Sequence, residues 1–186
     1  MKAEDLCRRA VELGAAKAVL LKQKDLIRSA EFRKLCEKNQ CGSYGKCWMC
    51  PPDCGDIHDL MQELERFDTV LWYQSIHPLE DSFDIEGMTG AAESHSYLAL
   101  ALRKELEPQF PSLHLTSGGC RLCPVCAKET DEPCRRPGDA MSSLEAYGID
   151  VYQSTAPTEL HYMNGKNTVT YFGAVLFQGG ESPCQA

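Results

Sequence analysis

Cysteine is the residue type that offers most chemistry in this sequence. The chain has 11 cysteines, and nine of them fall into two short segments, residues 36–54 and 120–137. Disulfide frameworks usually spread cysteines along a chain, whereas closely spaced thiolates can surround one soft metal centre. We therefore interpret both stretches as metal-binding loops and call them the first and the second cysteine segment.

The second cysteine segment has the spacing of an iron–sulfur ligand set. Cys120, Cys123 and Cys126 are separated by two residues each, and Cys134 follows after a longer gap. Three such thiolates can each reach a different iron of one small cluster, and a fourth then completes the site. Zinc sites with four thiolates also use pairs of cysteines two residues apart, so zinc is the alternative metal. The run of three favours a [4Fe-4S] cluster over zinc.

The first cysteine segment carries one thiol more than a single site needs. Its cysteines are Cys36, Cys41, Cys47, Cys50 and Cys54. Four thiolates would hold one cluster or one zinc ion. Cys47 and Cys50 have the best local spacing for a chelate, but spacing alone does not select the ligands among the five.

Several motifs together resemble a family of predicted metal-binding proteins of unknown function, widespread in anaerobic bacteria and archaea. The resemblance covers nearly the whole chain and rests on Cys36, Cys41, YGKxWxCPP at 44–52, CxLCxxC at 120–126, CRxP at 134–137 and EAYGIDV at 145–151. It implies metal binding and brings no established reaction. The family pattern has three cysteines in the first motif, which match Cys36, Cys41 and Cys50 here.

This three-cysteine pattern leads to a hypothesis about function. A cubane held by three thiolates leaves one iron open, and an open metal ion can act as a Lewis acid. We expect a working cluster at Cys36, Cys41 and Cys50, and a fully ligated electron-delivery cluster in the second cysteine segment. Cys47 and Cys54 are possible additional ligands.

Composition and charge narrow the classes of function. The chain has 186 residues, enough for one domain, with a formal net charge of -8 and a pI near 5.1. Such an acidic chain is not expected to bind nucleic acid. No apolar run is long enough to span a bilayer, and the N-terminus lacks the apolar stretch of a signal peptide. We predict a cytoplasmic protein with no membrane contact and a redox protein as its partner.

Hydrophobic periodicity predicts alternating helices and strands, and hence an α/β or α+β domain with a central sheet flanked by helices. A loose tail is expected at 178–186, containing Cys184. The long helix is expected to begin at Thr89 as its N-cap. The predicted helices cover residues 3–13, 25–36, 56–66, 89–106, 141–147 and 157–163. The predicted strands cover residues 16–21, 68–76, 112–117, 149–154 and 168–177.

Three functions are consistent with these observations. The first is an iron–sulfur protein with two [4Fe-4S] clusters that transfers electrons or performs redox chemistry at its open iron. The second is a zinc-stabilised interaction module without a redox role. The third is a metal-handling protein whose extra thiols receive or transfer a soft metal. His95, with Glu93 nearby in sequence, is a candidate proton donor outside the cysteine segments.

Overall fold

A four-stranded antiparallel sheet forms the centre of the computed structural model, which describes residues 3–179. Its strands are β1 (Lys17–Lys22), β2 (Thr69–Pro78), β3 (Ser112–Leu115) and β4 (Thr168–Phe177). They are arranged in the order β1-β2-β4-β3. Cys184 and most of the predicted tail lie outside the described residues.

Five α-helices accompany the sheet within residues 3–179. They are α1 (Ala3–Glu12), α2 (Phe32–Glu37), α3 (Ile57–Leu64), α4 (Ile85–Leu106) and α5 (Val151–Thr155). Short 3-10 turns cover Gln23–Asp25, Ala127–Thr130 and Glu145–Tyr147. The predicted central sheet with surrounding helices is therefore confirmed.

Both faces of the sheet are buried. Leu71 and Tyr73 of β2 pack with Leu98 and Leu102 of α4 on one face. The alternate residues Val70 and Trp72 belong to a second core on the other face, together with Leu64, Leu144, Ile149 and Leu160. This double burial explains why β2 has a continuous apolar sequence rather than an alternating one.

The predicted strand at 149–154 is wrong. Residues 151–155 form α5, whose N-terminus is capped by Asp150, since the Asp150 side chain accepts a hydrogen bond from the Gln153 backbone N–H at 2.9 Å. A capping aspartate satisfies an otherwise unpaired amide at a helix start. This local bond outweighs the strand preference of the apolar residues around it.

The other differences concern helix ends and short helices. The long helix begins at Ile85 and not at Thr89, because Asp84 is the N-cap and accepts a bond from the Gly87 N–H at 2.8 Å. The predicted helix at 25–36 is reduced to a 3-10 turn and α2, and the one at 141–147 to a 3-10 turn. Residues 157–163 form turns, bends and irregular backbone instead of a helix.

His95 lies in the sheet–helix core, away from solvent, and is 0% exposed. Its Nδ1 atom is 2.8 Å from the Ser75 hydroxyl, which is also 3.0 Å from Nε2 of His77. Burial lowers the pKa of His95 to about 4. Burial likewise lowers the pKa of His114, on β3, to about 4. Both imidazoles are therefore neutral in the folded protein.

We expect an acid-sensitive contribution to stability from His95. Its folded pKa is depressed, so its contribution is fully present above the unfolded value near 6.5 and is lost as pH falls toward 4. The difference in unfolding free energy between wild type and H95Q should shrink by about 2 kcal/mol from pH 7 to pH 5. Denaturant unfolding at each pH measures this difference. H161Q, at an exposed histidine, is the control, and a pH-independent difference for H95Q would contradict the prediction.

Candidate metal centre

The fold brings the two cysteine segments together, although they are far apart in sequence. The first connects α2 to α3, and the second follows β3. The indole Nε1 of Trp48 donates a hydrogen bond to the Glu132 carbonyl at 2.9 Å. Lys128 of the second segment forms an ion pair with Asp53 of the first at 3.0 Å, and its Nζ lies 4.4 Å from the centre of the Trp48 ring. These contacts join the segments into one unit.

Three of the predicted ligands face one cavity. Cys36, Cys41 and Cys50 line a space of about 310 Å³, which we call the first cavity. Its wall also includes Tyr44 and Pro51 from the first segment, and Gly118, Gly119 and Glu145 from later in the chain. The three thiols that match the family motif thus surround a common space.

The second segment faces a different space. Cys120, Cys123 and Cys126 line a cavity of about 340 Å³, the second cavity, and Cys47 is part of the same wall. Cys134 joins these four thiols around a smaller adjoining space. All four predicted ligands of the second segment are therefore brought together, and one thiol of the first segment is added to them.

Cys47 and Cys50 connect the two cavities. Their thiols lie side by side, and the Cys126 thiol is also next to Cys47. The neighbouring Cys50 is the main reason why the pKa of Cys47 is lowered to about 6. The neighbouring Cys47, followed by burial, raises the pKa of Cys50.

Three further cysteines are held in their neutral thiol form by burial. Burial is the largest cause of the raised pKa of Cys36, Cys54 and Cys120. Thiolates, not thiols, bind metals, so a metal that binds here must displace protons. Bringing several buried thiolates together without a cation would be unfavourable, because burial and like charge both penalise ionisation.

Cys54 is placed differently from the motif cysteines. It is half-buried and packs against the core on the α3 side of the sheet. The Arg33 guanidinium acts on Cys54 and counteracts the burial effect on the pKa of Cys54. Arg33 also opposes the raised pKa of Cys36. In the sequence, only the position of Arg33 one helical turn before Cys36 points to this role.

The cations of the second segment have mainly structural contacts. Arg135 donates to the Val125 carbonyl at 3.0 Å, and Arg136 donates to the Leu122 carbonyl at 3.1 Å. Arg136 also pairs with Asp139. These bonds fix the backbone between Cys120 and Cys134 and so hold the thiols in place.

The thiols surround spaces rather than one point. Among the side chains that the structure describes, no three of Cys, His, Asp and Glu are arranged as a chelate for a single ion. In a cubane, each thiolate binds a different iron, so its ligands enclose a volume. The thiol-lined cavities fit a multi-atom centre of that kind, with Cys36, Cys41 and Cys50 around one and Cys120, Cys123, Cys126 and Cys134 around the other.

Gly119, directly before the second cysteine segment, packs closely against Ser43 of the first cysteine segment. A Cβ atom at this position would lie 2.5 Å from the Ser43 Oγ and 3.1 Å from its Cβ. We expect G119A to lower the unfolding free energy by about 1–3 kcal/mol through overpacking. A second change, S43G, should restore much of this loss because it removes both clashing atoms.

The matched control for G119A is G138A, since an added Cβ at Gly138 meets nothing within 4 Å. This control accounts for the effect of alanine on the unfolded chain. Denaturant unfolding of the four proteins measures the differences. Equal stability of G119A and G138A would show that the close packing of Gly119 against Ser43 is unimportant.

Comparison with known proteins agrees with a metal-binding role. The sequence model of the family described as "Predicted metal-binding protein (DUF2284)" matches residues 19–177. No curated protein and no solved structure matches the chain. Within residues 3–179, no helix is both long and apolar enough to cross a membrane.

Proposed function

We propose that this chain, which belongs to that family of predicted metal-binding proteins, carries two [4Fe-4S] clusters, one in each thiol-lined cavity. The observation that supports this most is the grouping of the seven motif cysteines. Cys36, Cys41 and Cys50 share the first cavity, while Cys120, Cys123, Cys126 and Cys134 surround a second space. Four thiols can bind all four irons of a cubane, whereas three thiols leave one iron open. The second group has four thiols and the first has three.

The two cavities would have different roles. The second has enough cysteines to hold all four irons, which suits electron transfer. The first has three thiols of the family motif, which leaves one iron to bind a substrate or another ligand. Cys50 of the first set lies beside Cys47, which is part of the wall of the second cavity. Such closeness would allow electrons to pass from the second cavity to the first.

A redox protein is the partner that this arrangement requires, because electrons must reach the second cavity from outside. The wall of that cavity includes Tyr97 and Val125, whose side chains are exposed. We propose this rim as the docking region.

A V125E variant should accept electrons more slowly from a reduced ferredoxin, while its reduction by dithionite is unchanged. Equal slowing by both donors would contradict docking at the rim.

Anaerobic purification with metal and sulfide analysis tests the proposed function. We expect a brown protein with about eight irons and about eight acid-labile sulfides per chain, as two cubanes require. A colourless protein with stoichiometric zinc and no iron would overturn the proposal in favour of a zinc-stabilised module. Loss of metal to an acceptor protein during purification would instead indicate metal handling.

A C47S/C54S double variant tests which thiols hold the first cluster. We expect it to keep the iron of the first cavity, because neither side chain is among the residues that line that cavity. Iron content and the spectrum of the reduced protein measure the outcome. Loss of about four irons with an unchanged second cluster would contradict the three-cysteine arrangement.

A further inference from the structure

Glu145 contributes an unusual carboxyl group to the first cavity. It belongs to the 3-10 turn Glu145–Tyr147, which follows the second cysteine segment in the chain. Its side chain lines the same space as Cys36, Cys41 and Cys50. The residue also acts electrostatically on Cys36, where it opposes formation of the thiolate. The carboxyl is therefore close to the motif thiols.

One oxygen of this carboxyl is buried without a polar partner. Oε2 is shielded from solvent and accepts no hydrogen bond from the residues that the structure describes. Ser143 and the Gly118 backbone favour the charged carboxylate, but burial outweighs them and raises the pKa of Glu145. No Lys or Arg in the described part of the chain forms an ion pair with it. Burial of such an oxygen is unfavourable unless a hydrogen bond, a cation or a metal compensates it.

The contents of the first cavity suggest what the compensating group is. Three thiols can hold three irons of a cubane, and the fourth iron then needs a ligand that is not one of them. Carboxylate oxygens bind iron in proteins, and they are exchanged more readily than thiolates because iron–sulfur centres prefer soft ligands. An unpaired carboxylate oxygen at the wall of a cavity with three thiols meets this requirement.

We infer that the Glu145 carboxylate is the exchangeable fourth ligand of the metal centre held by Cys36, Cys41 and Cys50. The inference rests on the proposed function, and it specifies how the open iron is closed when no substrate is bound. A substrate that binds this iron would displace Glu145, and its class is a small anionic or thiol-containing molecule that can compete with a carboxylate. The released carboxylate would remain in the wall of the first cavity, next to Ser143 and Gly118.

Isotope labelling tests the inference without any mutation. The chain is produced with ¹³C-labelled glutamate, loaded with its clusters and reduced, and ¹³C electron–nuclear double resonance is recorded. We expect a ¹³C coupling from a bound carboxylate at the first cluster and its loss in E145Q. A wild-type cluster without this coupling would overturn the inference while leaving the two-cluster proposal intact. A first cavity without iron would overturn both.

Ligand exchange provides a second readout. Cyanide is used as the probe, and its binding is followed by the change in the spectrum of the first cluster. We expect E145Q to bind cyanide about tenfold more tightly than wild type, because an amide competes less well for iron than a carboxylate. E145C should bind cyanide far more weakly, since a fourth thiolate would close the site. E93Q is the matched control and should leave the cyanide affinity unchanged, because Glu93 lines the second cavity. Unchanged cyanide affinity in E145Q would contradict the role of Glu145.

Discussion

A C36S/C41S double variant is expected to retain about four of the about eight irons of the wild-type chain, with the spectrum of the second cluster unchanged. The complementary variant, C123S/C134S, should retain the other four. Serine keeps the shape of cysteine but is a poor ligand for a soft metal, so each variant removes two thiolate ligands from one cavity. Iron and sulfide analysis, together with electron paramagnetic resonance of the reduced proteins, measures both.

Each cluster should be lost without the other because the two sets of cysteine ligands face different spaces. Cys36 and Cys41 line the first cavity and not the second. Cys123 and Cys134 line the space enclosed by the second set and do not line the first cavity. The two sets approach each other at Cys47, which lies beside Cys50 and Cys126, and neither double variant removes any of these three thiols. Loss of one cluster should therefore leave the other set of thiols in place.

The control for this pair is C7A, which removes a thiol outside both cysteine segments. Cys7 packs against the core on the α4 side of the sheet, so its loss should leave the iron content unchanged. Loss of all iron in both double variants would contradict two independent centres. That result would indicate one shared metal site with cysteine ligands from both segments, which meet at Cys47 and Cys50.

Much of the fold follows from the sequence because its strongest signals are local. The apolar run of β2 and the final run of β4 predict strands, and both form the centre of the sheet. The segment 149–154 also looks like a strand, but the cap bond of Asp150 makes it a helix. Short segments of this kind are decided by one or two side-chain bonds, which periodicity does not detect.

The candidate site, too, could be predicted from the sequence in part, and the rest depends on the fold. Spacing within a segment groups Cys120, Cys123 and Cys126, and the structure places them around one cavity. Spacing does not reveal that Cys47 lies with these thiols instead of with Cys36 and Cys41, because that depends on how the two segments pack. Glu145 is the clearest example, since nothing near it in sequence is a metal ligand, and only the folded chain brings it to the first cavity.

Removal of the metal is expected to loosen both cysteine segments while the sheet stays folded. Amide exchange in residues 36–54 and 120–137 should accelerate roughly a hundredfold or more after chelation, because a structural metal can contribute about 10 kcal/mol to the order of its loop. The backbone bonds inside the first segment are turn bonds, such as Gly45 N–H to Pro51 and Cys54 N–H to Cys50. Hydrogen exchange with mass spectrometry, with and without metal under anaerobic conditions, measures the change.

The sheet provides the internal control for this experiment. β2 pairs with β4 along its whole length, from Thr69 opposite Phe177 to Pro78 opposite Thr168, and apolar side chains cover both of its faces. None of that packing depends on a thiolate. Lys128 and Trp48 would still connect the two segments without metal, but neither contact compensates the buried thiols. Equal acceleration in β2 and β4 would show that the metal supports the whole domain, and unchanged exchange in the segments would show that their order does not depend on metal.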